Sequence, residues 1–90
     1  MIKEIYEGVN NNLKSKLFGL LREREKGREW RSFLDSIQME LLGYPEELKT
    51  INYYHLCWNI NALRYLDYEY FRKMIFDTMT LLGKMNNDVL

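Results

Sequence analysis

His55 and Cys57 are the side chains best suited to hold a metal or begin nucleophilic chemistry, and the chain has one of each. Two residues apart on a helix, they point about 200° from one another. A regular helix cannot bring both to one ion, and no further histidine or cysteine completes a ligand set. Both read as structural or incidental rather than as ligands or catalytic groups, Cys57 most simply as a small buried hydrophobe. The carboxylates Asp35, Glu40, Asp67, Glu69 and Asp77 fall where they cap helices or face water, and their spacing implies no acid/base pair. Gly83 and Lys84 follow a helix and lack the preceding glycine of a phosphate loop. With no nucleophile elbow, phosphate-binding loop or metal-ligand cluster, the sequence predicts a non-enzyme that uses no metal and no cofactor.

A second chemistry is phosphate binding. Seven basic residues between Lys14 and Arg31 face three glutamates, a local net of +4 in a chain whose formal charge is zero. Arg22, Arg24, Arg28 and Arg31 could contact phosphates, with Tyr53, Tyr54, Tyr65, Tyr68 and Tyr70 as stacking platforms for single-stranded bases. Against this, Glu23, Glu25 and Glu29 interleave with the arginines at spacings that give ion pairs along a solvated helix face. Nucleic-acid binding by segment 22–31 is therefore the alternative reading. A membrane-surface role for the amphipathic stretch Leu13–Arg28 meets the same objection.

The third chemistry is recognition by aromatic rings. Eight of the 13 aromatic residues fall between Tyr53 and Phe76, where packing alone would more often use leucine. Tyrosine adds large contact area at modest entropy cost and keeps a hydroxyl for water or a partner. The expectation is a protein-protein interaction or self-assembly module whose interface includes Tyr53, Tyr68 and Tyr70, with a second copy of the chain or another protein as partner.

The element that must position these rings runs from Thr50 to Leu66. Ile51, Tyr54, Trp58, Ala62 and Tyr65 form one helical stripe, and Tyr53, Leu56, Ile60 and Leu63 form a second. A helix with two such stripes has to be covered on both sides, which makes it the central helix of a bundle.

Around it the spacing predicts two more principal helices. Leu13, Leu17, Leu20 and Leu21 mark an amphipathic helix that starts at an Asn12 N-cap, behind a short arm over residues 1–12 interrupted by Gly8 and Asn10–Asn12. Trp30, Phe33, Leu34, Ile37 and Leu41 continue helical spacing, so residues 13–42 are either one rod or two helices broken near Gly27. Gly43 is placed as a left-handed C-terminal cap, and Pro45, Glu46 and Glu47 as the first turn of the next helix. Asp67 then caps a helix carrying Tyr68, Phe71, Ile75, Thr78 and Leu82, closed by Gly83, and the tail from Met85 to Leu90 is expected to fray. No stretch alternates with period two. The fold class is all-α: one domain over residues 1–90, a small antiparallel bundle of three principal helices with a possible N-terminal arm.

Length and composition bound the rest. A 90-residue chain with 47% hydrophobic and 14% aromatic residues has an ample supply of core side chains for its size. A single cysteine forms no internal disulfide, Lys3, Glu4 and Glu7 break any signal-peptide core, and no apolar run approaches a membrane span. These features predict a cytoplasmic protein without a membrane span.

Overall fold

The chain folds into four α-helices with no strand among the described residues. The computed structural model describes residues 2–87, and the side chains of all of these but Ile2, Lys3 and Tyr6. Helix α1 spans Ile2–Glu25, α2 Arg31–Leu42, α3 Ile51–Ala62 and α4 Tyr68–Met85. Short 3-10 turns, Glu46–Leu48 and Leu63–Tyr65, stand before and after α3.

The three helices expected from spacing are thus four, and the N-terminal arm is the first part of α1. Gly8 and the asparagines do not interrupt it because Asn10 sits in the same stripe as Leu13, Leu17 and Leu20, all buried. Its carboxamide is satisfied across the fold: Nδ2 donates to Asn86 Oδ1 at 2.6 Å, and Oδ1 accepts the Tyr44 hydroxyl at 2.8 Å. A polar residue that reads as a turn former holds a core position because two partners meet it there. Asn12 lies inside α1, exposed, and caps nothing.

The break between α1 and α2 falls at Gly27, whose φ of 71° is left-handed and suits glycine for lack of a Cβ. Gly43 is not left-handed; its φ is −86°, and its N–H bonds back to Glu40 O in a tight turn. Pro45 is extended and begins a separate 3-10 turn that buries Leu48, so α3 starts only after Thr50. Asp67 precedes α4 with its carbonyl accepting the Phe71 N–H at 2.8 Å, without a side-chain cap. Gly83 lies within α4, which continues to Met85. Met85 is fully buried and Asn86 is bonded to Asn10, so the chain is fixed at least that far; residues 88–90 lie outside the described residues.

Neighbouring helices meet in opposite directions. Lys16 pairs with Glu40 and Gly19 lies against Phe33 between α1 and α2; Arg64, just after α3, pairs with Asp35 of α2, and Gln38 meets Asn61. Between α1 and α4, Phe18 meets Phe76 edge to face at 6.5 Å, and Arg24 meets the Leu66 carbonyl and Phe71. All four helices contribute to one core, with Leu17, Leu20, Leu34, Ile37, Leu56, Ile60, Phe71 and Ile75 sealed from solvent. No helix among the described residues is long and apolar enough to cross a membrane.

Candidate interaction surface on helix α3

Apolar side chains surround α3 so evenly that it has almost no amphipathic sense. The bundle covers only one of its two stripes. Tyr53, Leu56, Ile60 and Leu63 face α2 and α4 and are buried, whereas Ile51 is 85%, Tyr54 61%, Trp58 71% and Tyr65 76% exposed. The requirement that both stripes be covered is therefore not met within one chain.

The bare stripe has a particular setting. From Ile51 to Leu63 there is no aspartate, glutamate, lysine or arginine, so little charge has to be stripped of water if the face is covered. Depletion of charge with enrichment in Tyr and Trp marks the buried centre of protein interfaces. Exposed Leu42 of α2 extends the patch, because the antiparallel register set by Arg64 with Asp35 and Gln38 with Asn61 brings it level with Cys57 and Trp58.

Tyr53, expected at an interface, is instead a core residue, 5% exposed. Its hydroxyl donates to the Leu41 carbonyl at 2.7 Å, and its ring lies 5.2 Å from that of Tyr44. Burial, followed by hydrogen bonding with the Cys57 side chain, pushes this hydroxyl up to about 12. Tyr68 is partly exposed at the start of α4, where its hydroxyl donates to Glu25; that bond also raises its pKa above the ordinary tyrosine value. Tyr70 is exposed. Tyr54, Trp58 and Tyr65, on the other α3 stripe, are exposed as well. The signal was present as two equivalent stripes, but nothing in periodicity says which of them the bundle uses.

The arginine-rich segment is divided by the fold. The Arg24 guanidinium lies over Trp30 and Phe71, 4.7 and 4.5 Å from their ring centres, and donates to Leu66 O at 2.7 Å. Burial and then repulsion from Arg31 pull its pKa below the ordinary value. Arg31 covers the Trp30 ring at 4.5 Å, Arg28 approaches Glu23 at 3.5 Å, and Arg22 is exposed. Two of the four guanidinium groups are thus spent on roofing Trp30.

His55 and Cys57 diverge as helical geometry requires. His55 lines a shallow groove of about 410 Å³ between α3 and α4 with Asn59, Asp77, Thr80 and Lys84, while half-buried Cys57 packs against the core. No group of three metal-ligating side chains occurs among the described residues. Asp35 and Glu40 are ion-paired to Arg64 and Lys16. Comparison with protein-family models, with curated proteins and with solved structures gives no match for this chain.

Proposed function

We propose that the protein is a non-enzymatic self-association module that works through the outer face of α3. The observation that carries this reading is one apolar, charge-free stripe, Ile51, Tyr54, Trp58 and Tyr65, left exposed on a helix whose opposite stripe is sealed in the core. Lone exposed hydrophobes are ordinary, but a contiguous row of this kind marks an interaction site.

The size of the row supports a second protein surface as its cover. The three rings supply on the order of 400 Å² of exposed area, and Ile51 with Leu42 adds on the order of 200 Å². Some 600 Å² per copy approaches the ~800 Å² per partner of a standard interface. A formal charge of zero puts no net repulsion between copies. Tyr68 and Tyr70 lie on α4, past the extended turn at Leu66 and Asp67, and Tyr68 is held by Glu25 of α1, so neither belongs to the α3 row.

Light scattering at micromolar concentration tests this. The wild-type protein should have a mass above that of one chain, and Trp58→Ser should lower it toward the monomer with unchanged helical circular dichroism. Loss of a central aromatic anchor costs about 2 kcal/mol or more, roughly 30-fold in dissociation constant. The Tyr68→Ser/Tyr70→Ser double variant should weaken association less, because neither ring belongs to the α3 row. A wild-type monomer would refute the reading. A gel shift that falls steeply with salt and disappears when Arg22, Arg24 and Arg28 become glutamine would favour nucleic acid instead.

A further inference from the structure

We infer that two copies pair through α3 in antiparallel fashion across a two-fold axis at Trp58. This rests on the self-association proposed above and adds its geometry. The stripe is palindromic in spacing: Ile51 and Tyr65 stand seven residues either side of Trp58, and Tyr54 and Ala62 four either side. An isologous pair of antiparallel helices centred on Trp58 therefore places Ile51 of one copy level with Tyr65 of the other, and Tyr54 level with Ala62. Trp58 meets its own symmetry mate, an aromatic pair that can stack with offset rings.

Volume favours this arrangement over a parallel one. Antiparallel layers pair a large ring with a small side chain, Tyr54 beside Ala62, so the larger fills the space beside the smaller. A parallel pair would set Ala62 against Ala62 and Tyr54 against Tyr54, leaving a gap in one layer and crowding in the next. Antiparallel helices also oppose their macrodipoles, which parallel ones align. Between Ile51 and Tyr65 the charged residue is Arg64, which is engaged by Asp35 and Gln38 of α2, so packing decides the register. The stripe spans about 21 Å along the helix and its 3-10 extension, long enough for five side-chain layers.

Cysteine cross-linking tests the register. Ile51→Cys and Tyr65→Cys, each in a Cys57→Ser background, are both end positions, and each variant's helicity and mass are checked before oxidation. Mild oxidation of a mixture should link the Ile51→Cys chain to the Tyr65→Cys chain, with at least tenfold less linkage of Ile51→Cys to itself, because a disulfide needs Cα atoms within about 7 Å. A dimeric mass with self-linked Ile51→Cys chains, or with no mixed product, overturns the antiparallel register alone. A monomeric mass for the wild-type protein overturns the pairing together with the self-association it rests on.

Discussion

Tyr53 ties α3 to the end of α2 through one hydroxyl, and that hydroxyl makes stability depend on pH in the alkaline range. Its proton is held more tightly in the folded chain than in the unfolded one, where tyrosine titrates near its ordinary value of about 10. The contribution is complete below that value and is lost as pH rises through about 12. The full loss is on the order of 2 kcal/mol. Tyr53→Phe should remove this step from a pH series of urea midpoints and cost about 1 kcal/mol at neutral pH. The neutral cost stays small because Leu41 O keeps the Tyr44 N–H at 3.2 Å. Equal alkaline loss in both proteins would contradict the assignment. Asn10 is the corresponding link between α1, the α2–α3 connection and the end of α4. Asn10→Ala should lower the unfolding free energy by about 1–3 kcal/mol, read from urea titration, and a neutral result would mean that its bonds to Tyr44 and Asn86 do not matter.

At the scale of elements, glycine illustrates both what spacing reveals and what it hides. Gly27 needs its left-handed φ, so Gly27→Ala should cost about 1–2 kcal/mol. Gly83 has ordinary helical surroundings and open space where a Cβ would be, so Gly83→Ala should stabilise by about 0.5–1 kcal/mol. Thermal unfolding of the two variants checks both signs; a destabilised Gly83→Ala protein would mean that α4 ends before Met85. Neither sign follows from composition, because the ~1 kcal/mol penalty of a helical glycine is smaller than the packing around Leu81, Leu82 and Met85 that overrides it. The leucine and isoleucine spacings of α1, α2 and α4 were legible because those stripes lie against the core and nothing competes with them. Helix α3 was legible as a helix with two apolar sides. Its candidate site was only half legible, since Tyr53 and Trp58 stand on equivalent stripes and only the placement of α2 and α4 separates core from surface. Arg24 was opaque for a similar reason: a charged residue in a basic run gives no sign that its guanidinium will lie on Trp30 and Phe71.

The whole molecule is a slender body of 40 × 19 × 16 Å, its long axis close to the ~36 Å of a 24-residue helix such as α1. Its radius of gyration, 12.8 Å, is near the ~12 Å expected for this length. The accessible surface of 5772 Å² is also near the roughly 5600 Å² that scaling assigns to a folded monomer of this mass. The bare rings on α3 therefore do not reflect a loose fold. Exposed apolar side chains occur on all four helices, and the row Ile51, Tyr54, Trp58 and Tyr65 is the one that lines up along a single charge-poor face; in the proposed reading a second copy covers that row. Acrylamide quenching of tryptophan fluorescence, followed from nanomolar to micromolar protein, examines that face directly, because Trp30 is buried and supplies a constant background while Trp58 is exposed. Trp58 should be freely quenched at the lowest concentrations and become protected, with emission shifted to the blue, as copies associate. Unchanged quenching across the whole range would mean that the outer face of α3 stays in water, and would contradict self-association through it.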